Sequence, residues 1–226
     1  MKEKQKRDLL AGAGLLVGFV VWTILIRHVD VQAAGVNGTA IGFATFHVWF
    51  HQMTGTNMTL YAVTDWLGLV PVVVCLCFGG LGFVQLIRRK SLLRVDPDIL
   101  LLGGYYLLVL TAYLLFEMIP IHYRPVLING NMEASYPSST TLLVLGVMPT
   151  CRFQISRRFG NPALRHAAGA VTEAFSAFMV IGRLISGVHW VGDIIGSVLL
   201  SAGLFLLYRA LVIMTDRKKT ARNKEE

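Results

Sequence analysis

Hydrophobic residues run in long unbroken stretches along this chain, and charge is confined to the short segments between them. Such runs mark helices that cross a membrane. They predict six spans, over roughly 9–26, 62–87, 99–119, 138–156, 167–185 and 189–213. The fourth is the least regular, because Pro149 interrupts it and Arg152 lies near its inner end. Trp22, Trp66 and Trp190 fall near span ends and read as interfacial anchors. The expected fold is an all-α integral-membrane bundle forming one domain over residues 1–226.

The segment 27–61 is the longest connection. Its Phe43, Phe46, Trp49 and Phe50, with His47 and His51, suit an amphipathic helix lying on the outer surface. The stretch 214–226 reads as a cytoplasmic tail, solvated from Asp216 onward. Leu9 to Ile26 is long for a signal peptide, and no convincing small-residue cleavage site follows it.

Composition agrees with this reading: 54% of the 226 residues are hydrophobic and only 15% charged, against about a quarter charged in soluble domains. Mean hydropathy is +0.60. The net charge of +8 might suggest nucleic acid, but its distribution argues against that. In the six-span arrangement eighteen of the 21 Lys and Arg fall on one side: the N-terminus, the 88–94 and 152–165 loops, and the tail from Arg209. By the positive-inside rule that side, with both termini, is cytoplasmic. The basic excess there suits anionic lipid at the cytoplasmic surface. Only Arg27, Arg124 and Arg183 face outward, and a cation on the side kept poor in cations implies a partner.

Other candidate chemistry is thin. Cys75, Cys77 and Cys151 are expected as free thiols, since Cys75-Leu76-Cys77 lacks the spacing and company of a metal site. His47 and His51 stand four apart, as two metal ligands would, but no third ligand stands near them. No metal and no cofactor is expected. Gly192 and Gly196 form a G-x-x-x-G that suits close helix packing and leaves room beside His189 for a phosphate group. Glu173, inside the fifth span, reads as an interhelical hydrogen-bond partner.

Two of the three outward arginines belong to a pattern. Arg183, His189 and Asp193 are spaced R-x5-H-x3-D at the start of the last span. His189 and Asp193, four apart, share a helix face and can hydrogen-bond. A carboxylate-oriented imidazole beside a fixed cation suits attack on phosphorus. Arg124-Pro125 and Tyr136-Pro137-Ser138-Ser139-Thr140-Thr141 lie on the same side.

This order resembles the type 2 phosphatidic acid phosphatase superfamily of integral-membrane lipid phosphate phosphatases. Its pattern reads Lys-x6-Arg-Pro, then Pro-Ser-Gly-His, then Ser-Arg-x5-His-x3-Asp. The resemblance covers about residues 60–213. It implies that His189 attacks phosphorus and becomes phosphohistidine, and that Asp193 orients it and stabilises its charge. Arg124 and Arg183 would hold the phosphate oxygens. Ser138 and Ser139, at a helix start just after Pro137, would add hydrogen-bond donors. No metal is needed by that scheme.

Three positions depart from the pattern. Glu117 stands in place of the first-motif Lys, Gly182 in place of the third-motif Ser, and Thr140 in place of the second-motif His. That histidine protonates the leaving oxygen, which threonine cannot do near neutral pH. His122 is a candidate substitute acid, with Tyr123 and Glu133 nearby, and Glu117 could pair with a motif arginine. Expelling an alkoxide demands a proton, because its conjugate acid is about as weak as water at pKa ~16. Expelling a lipid monophosphate does not, since phosphate has a second pKa of about 6. A lipid diphosphate such as undecaprenyl diphosphate is therefore the expected substrate, cleaved on the extracytoplasmic face. That would suit carrier-lipid recycling for a bacterial cell envelope. The alternatives are a degenerate relative that binds or transports phosphorylated lipid, and a lipid phosphotransferase.

Overall fold

The computed structural model describes the backbone of residues 2–225 and the side chains of 3–217. Eight α-helices follow in order: α1 (Lys2–His28), α2 (Ala44–Thr54), α3 (Met58–Leu67), α4 (Leu69–Arg89), α5 (Pro97–Met118), α6 (Ser139–Arg158), α7 (Pro162–Ile185) and α8 (Val191–Glu225). No β-strand forms among the described residues. Past the last predicted span, α8 continues as far as Glu225.

The predicted second span is two helices. Pro71 has no N–H for the carbonyl of Leu67, four residues back, and its ring crowds that carbonyl. The first helix accordingly ends at Leu67, and α4 begins after Gly68.

Five stretches are long and apolar enough to cross a membrane: 3–28, 58–89, 97–118, 162–185 and 191–217. The helix α6 falls short of that composition although it lies at the centre of the bundle, packed on α4, α5, α7 and α8. Its polar Thr141, Thr150 and Gln154 are wholly buried. They meet protein, not lipid: Tyr106 bonds Thr150, and Gln154 donates to Tyr208. Arg152 and Glu173 pair across α6 and α7, the interhelical role expected of Glu173.

Helices α1 and α8 pack most extensively, antiparallel and close. Gly12 and Gly203 face each other so tightly that a Cβ on either would lie 3.1–3.2 Å from the other's carbonyl. Near the charged end of this pair, buried Asp8 receives two hydrogen bonds from Arg209, at 2.6 and 2.8 Å.

Gly192 and Gly196 allow the close packing expected of them, but side chains fill the space beside them. A Cβ on Gly192 would strike Ile26 and His47, and one on Gly196 would strike the Tyr136 ring. These glycines seat side chains from α1, α2 and the segment before α6.

Candidate active site

Three segments converge beyond the ends of α3, α5 and α8. The first is the connection from α5 to α6, which folds as an irregular hairpin. Asn129 and Gly130 both have positive φ, as a two-residue hairpin turn requires, and Ile128 and Asn131 exchange backbone hydrogen bonds around them. Below the turn the arms pair again. The Arg124 N–H donates to the Glu133 carbonyl at 3.1 Å, and the Ser135 N–H to the His122 carbonyl at 2.8 Å. Pairing skips Pro125, which has no N–H to give. The hairpin thereby sets Arg124 beside Glu133 and His122 beside Ser135.

The second segment is the turn between α7 and α8. Gly187 takes φ +69°, and a Cβ there would clash with the Gly55 carbonyl. The Asn57 N–H donates to the Ser186 carbonyl, and His51 Nε2 donates to that of Gly187. His189 emerges from this fastened turn, and Asp193 lies in the first turn of α8.

The two come close, but not on the helix face their spacing predicts: His189 precedes α8, and a third residue stands between them. His189 Nδ1 lies 3.6 Å from Asp193 Oδ2 and 3.2 Å from Ser135 Oγ. Ser135 Oγ donates a short hydrogen bond to Asp193 Oδ2, which also accepts from the Trp190 N–H at 2.8 Å. A carboxylate only accepts, so the single hydroxyl proton of Ser135 goes to Asp193. Ser135 must then accept from His189, which places that ring's proton on Nδ1. The lone pair is left on Nε2, which is buried and without a hydrogen-bond partner. Burial drives the His189 pKa down to about 4, and the cations Arg124 and Arg183 push the same way.

The sign of that shift sets two expectations. Between pH 6.5 and about 4 the unfolded chain takes up a proton at this imidazole that the folded chain refuses, so stability falls as pH falls through that window. In ¹⁵N NMR spectra of the solubilised protein at pH 6, His189 should be neutral with its proton on Nδ1. An imidazolium, or a proton on Nε2, would contradict this proton accounting.

His122 sits on the far side of the same carboxylate. Its Nε2 accepts from the Gly42 N–H at 3.2 Å, and its Nδ1 lies 3.8 Å from Asp193 Oδ1. His47 is buried nearby, stacked on Trp190 and accepting from the Gly192 N–H at 3.0 Å. Burial holds its pKa below the ordinary value. With the Nε2 atoms of both His47 and His51 engaged by backbone, no group of three or more candidate metal ligands forms among the described residues. Trp190, expected as an interfacial anchor, is buried and donates to the Tyr123 carbonyl, while Trp22 donates to that of Gly192. Trp66 is the exposed one, at 72%.

The guanidinium groups form the third part. Tyr61 of α3 lies beneath both, its ring centre 5.7 Å from Arg124 and 4.9 Å from Arg183. Each arginine has a carboxylate partner absent from the motif pattern. Arg183 Nη2 bonds Asp65 at 2.7 Å and also Thr140, and Arg124 Nε stands 3.1 Å from Glu133. Glu117, expected as such a partner, pairs with neither arginine among the described residues. Both arginines are over nine-tenths buried; Arg183 keeps Nε and Nη1, and Arg124 keeps Nη1, without an acceptor, while Arg124 Nε faces Glu133 in an ion pair. Buried donors of this kind are aimed at something that binds.

They open onto a cavity of about 820 Å³. Its polar end is lined by Arg124, Arg183, Asp65, Glu133, Ser139 and Thr140. The remainder is largely apolar, including Leu69, Val72, Leu107, Leu110, Leu143 and Val147. From Glu117 to Gly103 the cavity follows α5 for ~20 Å. His189, Asp193 and His122 are buried and do not line it. Ser138 also lies off it: it is fully buried, its hydroxyl bonds Thr141, and its carbonyl accepts from Ser197. Pro137 precedes the capping Ser138 and does not open α6.

No family model matches the chain, and no curated protein matches it. Among solved structures it is similar to the transmembrane PAP2-type phosphatidylglycerolphosphate phosphatase from Bacillus subtilis. The TM-score is 0.57 at 17% identity, over 91% of this chain and 96% of that one. The two chains thus share a fold over nearly their whole lengths: this protein is a multi-pass helical bundle built like a transmembrane phosphatase.

Proposed function

We propose that the protein is a membrane lipid phosphatase that works through a phosphohistidine. The observation carrying this reading is the His189 imidazole. Its proton is committed to Ser135 and Asp193, leaving a buried, unpartnered Nε2 near two guanidiniums with unused donors. Arg124 and Arg183 hold the phosphate with those free N–H groups and stabilise charge as the phosphorus becomes five-coordinate. His189 Nε2 attacks, and Asp193 stabilises the resulting cation through Ser135. Water then releases phosphate. The apolar length of the cavity takes the lipid tail.

His122 supports Asp193 from behind, since its two nitrogens face Gly42 and Asp193 and not the cavity. With Thr140 at the second-motif position, a leaving group that departs without a proton is favoured. A lipid diphosphate such as a polyprenyl diphosphate is accordingly the preferred substrate. The topology we propose has six spans, with α6 as the protein-shielded sixth, cytoplasmic termini and an extracytoplasmic site. The charge distribution supports it.

Phosphate release from a panel of lipid mono- and diphosphates, with His189→Ala as control, tests the reading. Release by the wild type that vanishes in the variant is expected. Lipid binding without release in either protein would instead make it a binding relative, which the carboxylates already paired to both arginines would suit.

A further inference from the structure

The site holds no histidine where a proton is needed for an ordinary phosphate ester, yet a different acid stands at that place. Asp65 Oδ1 lies 2.7 Å from Arg183 Nη2, and the same nitrogen bonds the Thr140 hydroxyl. One guanidinium nitrogen therefore holds a carboxylate against the residue that replaces the histidine. Asp65 and Thr140 both line the cavity, whereas His189 does not. In-line attack from His189 points the leaving oxygen away from the nucleophile, toward the tail and the cavity. Asp65 is on that side.

We propose that Asp65 is the catalytic proton donor to the departing lipid oxygen, which extends the site to lipid monophosphates beside the diphosphates that need no proton. This rests on the phosphohistidine reading above. Arg183 holds Asp65 in place. When phosphate enters, its oxygens take over the guanidinium, and Asp65 is left against them. Acids crowded into one site share a proton between them. A lipid monophosphate can bring that proton, because the phosphate group is half monoanionic near pH 6. The Asp65 side chain, 56% exposed, is also open to water.

The steps balance. The His189 Nε2 lone pair forms the N–P bond, and the P–O bond to the lipid breaks. Its electron pair stays on the lipid oxygen, which takes the Asp65 proton to leave as an alcohol. Water next attacks phosphorus, giving a proton to the Asp65 carboxylate, and the N–P electrons return to Nε2. Glu133 is the rival acid. However, it pairs with Arg124, whereas Asp65 shares Arg183 Nη2 with Thr140. Glu117 pairs with neither arginine.

The test compares hexadecyl phosphate with hexadecyl diphosphate, using wild type, Asp65→Asn and Glu133→Gln. The diphosphate expels hexadecyl phosphate and needs no proton, so it also reports whether each variant is folded and can still grip phosphate. Asp65→Asn should lower kcat/KM on the monoester by about 10²–10³-fold. On the diphosphate the loss should stay below about tenfold, and Glu133→Gln should not discriminate between the two. Equal losses on both substrates in Asp65→Asn would reduce Asp65 to a positioning partner of Arg183. A selective loss in Glu133→Gln in place of Asp65→Asn would transfer the role to Glu133. Wild type that cleaves only the diphosphate would overturn the acid but leave the phosphatase standing. Wild type that cleaves neither, while binding both, would overturn the phosphatase and the acid together.

Discussion

Asp193→Asn should reduce phosphate release by about 10³–10⁴-fold while leaving the fold intact, as the equivalent change does in a serine-protease triad. The reason is the direction of the hydrogen bonds. Asp193 Oδ2 accepts from both Ser135 Oγ and the Trp190 N–H. If the amide nitrogen of Asn took that position, it would donate to Ser135 and turn the hydroxyl toward His189 Nδ1. The ring proton would then move to Nε2 and occupy the lone pair needed for attack. If the amide oxygen stayed, the geometry would survive but the charge that stabilises a phosphorylated imidazolium would be gone. Both outcomes are severe, and ¹⁵N NMR of the variant tells them apart. Turnover within tenfold of wild type, at unchanged Tm, would refute the relay through Ser135.

Arg183→Lys should be nearly as damaging, lowering kcat/KM by about 10²–10³-fold although the charge is kept. Lysine offers a point charge at one place. Arg183 uses a plane: it stacks on Tyr61, holds Asp65 and Thr140 with one nitrogen, and keeps Nε and Nη1 for substrate. An ammonium cannot lie flat on the ring and fill all these roles. Retention of the positive charge keeps Asp65 from being abandoned, so the measured loss should reflect geometry and not misfolding. Activity within threefold of wild type would show that charge alone is enough.

The helices are legible in the sequence because a long uninterrupted apolar run, with its backbone hydrogen bonds closed on themselves, suits lipid and little else. The R-x5-H-x3-D spacing brings its His and Asp near each other because they are close in sequence, although His189 sits in the turn before α8 and not on the helix. What escapes the sequence is mostly pairing across distance. Asp65 and Arg183 stand 118 positions apart, and no local pattern links them. Ser135 carries no chemical signature of its own. The only signal for it is Asn129-Gly130, the two-residue turn that fixes which positions of the two arms face each other. The break between α3 and α4 can be read from Pro71. The low hydropathy of α6 makes it look like the weakest span, whereas its polar residues face protein. Trp190 misleads because nearness to a span end does not reveal which way an indole points.

The Asn129-Gly130 hairpin has one more consequence. Phosphate grip and nucleophile readiness ride on the same ribbon: Arg124 sits on one arm, Ser135 on the other, and His122 opposite Ser135. Lengthening the tip should be harmless, whereas removing one residue from either arm would swing both functions out of place at once. The hairpin thus ties one of the two guanidiniums to the hydroxyl that orients His189, while Arg183 and His189 themselves stand on α7 and the turn before α8.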